Sequence, residues 1–147
     1  MKEIFVKSYK ELTKKELYNI LKLRSEVFVV EQNCVYQDID SKDQKAYHVY
    51  LKIDEKIRGY TRIFKPGDYF ELSSIGRVVV SKEERKLNNG SELIIASINA
   101  IEEIFNEKKI KISAQKYLEN FYKTFGFIST GKEYLEDGIP HIAMVKN

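Results

Sequence analysis

Residues 76–94 read GRVVVSKEERKLNNGSELI: a run of β-branched residues, a polar loop and the opening of an apolar helical repeat. The valines have strand character, and Leu93, Ile94, Ser97, Ile98, Ile101 and Phe105 then recur at the spacing of one helix face. A helix start offers unpaired N–H groups and the positive end of a dipole. The loop between, RKLNNG (Arg85–Gly90), has two readings: a polar turn with a helix cap, or a cradle for phosphate. A cradle needs residues that accept positive φ and let a ligand come close. Gly90 serves close approach, and asparagine, here Asn88 and Asn89, enters the left-handed region more readily than most residues. Arg85 and Lys86 add positive charge.

Working outward, EIFVKSY (3–9) reads as a first strand, with Ile4 and Val6 on one face. Thr13 followed by Glu16 is a capping-box signature, and the helix it opens runs to about Val30. Glu31–Asp43 is acidic and lacks a period, so it reads as a loop. AYHVYLKID and IRGYTRIF form a hairpin, KPGD a turn, and LSSIGRVVV a strand whose unbroken apolar end predicts burial on both faces. Ser81 and Glu84 suit a capped turn before the loop. The long helix spans about Asn89 to Phe105. A short strand KIKISAQ, a helix YLENFYKTFGF closed at Gly126, and a hairpin around Asp137-Gly138 follow. The order β-α-β-β-β-α-β-α-β-β predicts an α/β (α+β) mixed sheet in one domain, residues 1–147. The strands flanking the long helix should be parallel, because a helical crossover joins them.

Composition narrows the function classes. With 147 residues, 43% hydrophobic and 32% charged, the chain can build a core and is not disordered. No apolar run is long enough to span a bilayer, so no membrane partner is expected. A single cysteine, Cys34, excludes an internal disulfide and suits a cytoplasmic protein. A net charge of +3 with dispersed lysines argues against nucleic acid. No metal site is expected.

Taken with AQKYLENFYKTFGF, the opening stretch resembles the GNAT superfamily of N-acetyltransferases. The shared signature is Arg or Gln, two residues, Gly, one residue, then Gly or Ala opening a helix. Here those places fall on Arg85, Asn88 and Gly90, with Asn88 replacing the first glycine. LRSEVFVVEQNCVYQDIDSKD, IGRVVV and EYLEDGIPHIAM are similar to the ElaA-like branch. The resemblance implies acetyl-CoA as co-substrate in a V-shaped gap between the strand ending at Val80 and the strand Ile110–Ala114. Its pantetheine would pair with Val78, Val79 and Val80, and its pyrophosphate would meet amides from Leu87 to Glu92, including Asn88, Asn89, Gly90 and Ser91. Gln115, at the end of the facing strand, belongs to the same cofactor set. The chemistry implied is direct attack of an amine on the thioester, with a backbone amide near Val79 as oxyanion donor.

Tyr122 matches the tyrosine that many members use as general acid. It also lies on the helical repeat Tyr117, Leu118, Phe121, Tyr122, Phe125, which suits a packed aromatic equally. The family's glutamate base falls on Ser74, so Glu71, His48 and His141 are the candidates for the base. Glu31, Gln32 and Asp38 are the candidates for the acceptor pocket, where clustered carboxylates would attract a cationic amine; a solvated acidic loop is the alternative. Cys34 has no basic partner in sequence and reads as filler or pocket wall, and Arg24 as an anchor for the acidic loop or a surface residue. The expected partner is a small-molecule or peptide amine, with a homodimer as a further option. A CoA-binding sensor that has lost turnover is the second reading; a nucleic-acid-binding domain rests only on the pI near 8.8.

Overall fold

The computed structural model describes residues 1–147. Seven strands form one sheet: β1 (Lys2–Ser8), β2 (Tyr47–Ile53), β3 (Lys56–Phe64), β4 (Ser73–Val80), β5 (Ile110–Gln115), β6 (Phe127–Glu136) and β7 (Ile139–Lys146). Their order across the sheet is β1-β2-β3-β4-β5-β7-β6. Every neighbouring pair is antiparallel except β4 and β5, which the crossover α2 (Asn89–Ala100) makes parallel. The helices are α1 (Lys14–Arg24), α2 and the short α3 (Glu119–Lys123). The element order is the one the sequence predicts.

Alternation along the strands divides the core between the two sheet faces. Val49, Leu51, Ile63 and Ile75 meet Leu93 and Ile94 of α2, and Ile101 in the turn that continues it, on one face. Tyr50, Tyr60 and Val79 meet Ile20, Leu23 and Val27 of α1 and its extension on the other. Gly59 permits the close seat of α2, since a Cβ there would lie 2.6 Å from Leu93 Cδ1. Three local readings need correction. Val78 and Val80 are half-buried, because the far end of β4 faces a cleft instead of a neighbouring strand. The third helix is a 3₁₀ turn, Lys116–Leu118, followed by only five α-helical residues. The turn at Ser81–Glu84 is closed by the Glu84 N–H donating to the Ser81 carbonyl at 2.9 Å, without a side-chain cap.

The capping box at the start of α1 also fastens the helix to the sheet. Thr13 N–H donates to Glu16 Oε1 at 2.8 Å, and Glu16 N–H donates to Thr13 Oγ1 at 3.1 Å. The second carboxylate oxygen accepts from Tyr50 Oη at 2.7 Å and Lys7 Nζ at 2.9 Å. Burial opposes ionisation of Glu16, but the bonds from Thr13, Tyr50 and Lys7 outweigh it and lower its pKa from 4.5 to about 2. A depressed folded value makes this stabilisation complete above pH 4.5 and removes it as pH falls toward 2. Urea unfolding from pH 5 downward should therefore show a steep acid loss that Glu16→Gln flattens. Equal slopes in parent and variant would contradict the linkage.

Candidate active site

β4 and β5 are paired only at Ser73–Ile110 and Ser74–Lys111, and beyond that point the strands separate. A bulge in β4 accompanies the separation. Gly76 faces Arg62 and Val79 faces Tyr60, so two residues of β4, Arg77 and Val78, lie opposite Thr61 alone. Arg77 takes a φ of 50° to make this bulge. The result is a V-shaped cleft of about 540 Å³, within the range of small-molecule sites.

Val78, Val79, Val80, Arg85, Gly90 and Gln115 all line the cleft. Asn88 occupies the left-handed region (φ 61°, ψ 13°) as the N-cap of α2, the conformation for which asparagine stands in for glycine. Lys86 is left-handed as well, with φ of 73°. A Cβ on Gly90 would stand 3.7 Å from Phe121 and 3.9 Å from Val80, so this glycine keeps the space between them open.

The side chains of Lys86, Leu87 and Asn88 are exposed, and neither they nor Ser91 line the cleft. What this segment can offer a ligand is backbone N–H, since helix geometry leaves the first-turn amides free. The Asn89 side chain has a different role: it is buried, donates to the Glu84 carbonyl at 3.0 Å and accepts from Lys2 Nζ at 3.3 Å. Arg85 Nε donates to the Val80 carbonyl at 3.1 Å, and its guanidinium pairs with both carboxylate oxygens of Glu31.

Of the catalytic candidates, the structure brings Tyr122 and His141 to the cleft. Tyr122 is 6% exposed, packed edge-on against Phe121 and Phe127, and its hydroxyl has no partner within the chain. Burial, then the neighbouring Tyr117, raises its pKa above the ordinary phenol value, so it carries its proton at neutral pH. His141 Nδ1 donates to the Ile139 carbonyl at 2.7 Å, which fixes Nε2 as the lone-pair nitrogen. Nε2 faces Glu136 Oε2 at 3.4 Å, and the ring stacks on Tyr134.

His48 and Glu71 do not reach the cleft. His48 is fully buried, with Nδ1 2.6 Å from Tyr60 Oη and Nε2 3.0 Å from the Asp43 carbonyl; burial lowers its pKa. Both ring nitrogens are occupied, so the residue is a structural hydrogen-bonder. Glu71 is exposed in the β3–β4 connection, outside the cleft lining.

On the acceptor side, Glu31 and Gln32 line the cleft, but Glu31 is engaged by Arg85. Asp38 is not a free carboxylate. Three arginines and three aspartates alternate beneath the loop. Asp38 meets Arg24 and Arg77 at 2.8 Å each, Asp43 meets Arg24 at 2.8 Å and Arg62 at 2.9 Å, and Asp40 meets Arg62 at 2.5 Å. Burial opposes ionisation of Asp43, yet Arg24 and Arg62 hold its pKa below the carboxylate range. Arg24 is thus an anchor: buried Asp38 and Asp43 pin the acidic loop to the sheet, while residues between them and before them, such as Ile39 and Val35, stay exposed. Cys34 is a pocket wall: its thiol lies 3.2 Å from the Asp137 carbonyl, joining the loop to the β6–β7 turn.

Sequence reasoning did not single out Arg62, Gly76, Arg77 or Glu136, which also line the cleft. The glycine before a valine run was the only available signal for the bulge.

The chain matches the model of the acetyltransferase (GNAT) domain over residues 8–147. It is 41% identical to protein ElaA of Escherichia coli over 140 residues, 94% of this chain and 92% of that protein. Among solved structures it resembles an acyl-CoA N-acyltransferase from Pseudomonas aeruginosa, with TM-score 0.95 and 36% identity over the whole of both chains. It also resembles E. coli ElaA, with TM-score 0.93 and 39% identity. Acyl-CoA is the co-substrate of this fold, and the unpaired edge of β4, the open space kept by Gly90 and the free amides of α2 fit it. A GNAT domain spanning nearly the whole chain, a relative at 41% identity and a splayed β4–β5 pair lead to one assignment: the chain belongs to the GNAT superfamily of acyltransferases, in its ElaA-like branch.

Proposed function

We propose that the chain transfers the acetyl group of acetyl-CoA to a primary amine by direct attack. The observation that carries this reading is Tyr122, a buried phenol with an unpartnered hydroxyl on the wall of a cleft opened by β4 and β5. Acetyl-CoA, when bound, supplies the acyl group as a thioester. The chain's own groups handle the protons and the charge. His141 Nε2, beside Glu136, accepts the proton that an incoming ammonium must lose before it can attack. A backbone N–H near Val79 donates to the acyl oxygen as negative charge develops there. Tyr122 gives its proton to the departing sulfur, and the second proton that the nitrogen sheds on becoming an amide restores the phenol.

The second reading, a CoA-binding sensor, draws on Arg85, whose guanidinium is engaged by Glu31 and the Val80 carbonyl. Thiol release separates the two. Arylalkylamines, polyamines, aminoglycosides and peptide N-termini are incubated with acetyl-CoA and assayed for free thiol. Release with at least one class supports the transferase; acetyl-CoA binding without release supports the sensor. The cradle has its own test. Gly90→Val puts methyl groups between Phe121 and Val80 and should weaken acetyl-CoA binding by at least about tenfold, or ~1.4 kcal/mol. Parental affinity in the folded variant would refute it.

A further inference from the structure

One half of the α1 face of the sheet is apolar and the other half is polar. Beneath α1 and its extension the packed side chains come from β2, β3 and β4. On β5 and β7, Ile112, Ala114, Ile142 and Met144 belong to the α2 side, so alternation turns Ser113, Gln115 and His141 to the α1 side. Tyr134 of β6 stands opposite His141 and stacks on its ring, and its hydroxyl pairs with Ser113 Oγ. Glu136, two residues further along the same strand, completes the patch. Its Oε1 accepts from Ser113 Oγ at 3.5 Å, and its Oε2 lies 3.4 Å from His141 Nε2.

The charges lining the cleft are unevenly matched. Arg62, Arg77 and Arg85 all line it, and each is met by a carboxylate: Arg62 by Asp40 and Asp43, Arg77 by Asp38, and Arg85 by Glu31. Glu136 and Asp137 line it too, and no lysine or arginine pairs with either. The Glu136 side chain is 47% exposed, so a ligand in the cleft can reach it. Two further groups await an occupant. Tyr122 Oη and His141 Nε2 belong to cleft-lining residues only 6% exposed and make no hydrogen bond within the chain, yet neither is among its enclosed polar atoms. Each keeps surface that a ligand can satisfy.

We infer that Glu136 holds the ammonium of the acceptor beside the His141 imidazole, and that Glu136 with Asp137 excludes amines bearing a carboxylate next to the nitrogen. The inference rests on the acyltransferase reading of the cleft. The acceptor class is then a carboxylate-free cationic amine rather than an α-amino acid. An ammonium gains a charge-assisted hydrogen bond from Glu136, whereas a carboxylate entering with it meets like charge. Three matched pairs differ by that one carboxylate: tyramine and tyrosine, agmatine and arginine, cadaverine and lysine. Their binding is measured by calorimetry on protein saturated with free CoA, and thiol release with acetyl-CoA is followed separately. At least one of the three amines should bind, and at least about tenfold more tightly than its amino acid. Glu136→Gln should weaken that amine about tenfold and shrink the ratio to about threefold or less, while CoA raises the melting temperature of variant and parent equally. Equal binding within a pair, an unchanged amine affinity in Glu136→Gln, or no binding by any of the three amines each overturns the inference. A fall in turnover by Glu136→Gln without loss of amine affinity would also overturn it, by making Glu136 only a support for His141. The pair ratios in the parent need no variant and decide the inference should Glu136→Gln not fold. Amine binding that Glu136→Gln weakens, but without thiol release, would support the site and count against the transferase reading.

Discussion

Tyr122→Phe is expected to lower kcat by about a hundredfold or more, the usual contribution of a positioned general acid, with acetyl-CoA affinity nearly unchanged. The substitution removes one oxygen and keeps the ring, so the edge-on contacts with Phe121 and Phe127 persist and the fold should be retained. The hydroxyl has no partner within the chain, so its removal strands no protein donor or acceptor. A fall in kcat without a rise in the acetyl-CoA dissociation constant locates the loss in the chemical step. Turnover within about threefold of the parent would remove the acid role and return Tyr122 to the packed core.

The largest stability effect is expected at Arg24, which does not line the cleft. Its guanidinium is fully buried and is shared by Asp38 and Asp43, themselves 8% and 5% exposed. Arg24→Leu leaves two buried carboxylates short of a partner, and breaking a buried pair from one side costs about 3 to 5 kcal/mol. For a domain of this size that lowers Tm by roughly 10 °C or more. The loop Glu31–Asp43 should also loosen, because Asp38 and Asp43 bind it to the last turn of α1. Amide hydrogen exchange would report that as lost protection confined to the loop and its neighbours. A stability change below about 1 kcal/mol would mean that Arg62 and Arg77 hold the aspartates without Arg24.

Several local signals in the chain are legible, although the length of the third helix and the cap at Ser81 are not, and most long-range side-chain contacts are hidden. The Thr13–Glu16 box, the Asp137-Gly138 turn (φ 53° and 78°) and the left-handed Asn88 follow from the chemistry of adjacent residues. The parallel pairing of β4 with β5 follows from the helix between them. The arginine–aspartate network does not, since its members lie 14 to 39 residues apart and only the folded sheet brings them together. Taken as sequence, Asp38 is an exposed acid in an acidic loop; with Arg24 and Arg77 beside it, it is a clamp. The two histidines are equally plausible in sequence. Tertiary surroundings separate them: the ring of His48 is occupied by Tyr60 and the Asp43 carbonyl, whereas His141 lines the cleft with Nε2 3.4 Å from Glu136 Oε2. The bulge at Arg77 escaped notice because the residue in the left-handed region is an arginine, while the flanking Gly76 keeps an ordinary φ.

The central claim is direct transfer, in which the acyl group passes from thioester to amine without residing on the chain. It is tested most directly by mass spectrometry of both chain and amine after a single turnover with acetyl-CoA. Direct transfer yields free CoA, an acetylated amine and a chain of unchanged mass. An acetylated chain whose acyl group is then passed to the amine, with Cys34 on the cleft wall as the obvious carrier, would contradict it, as would CoA release without any acetylated amine.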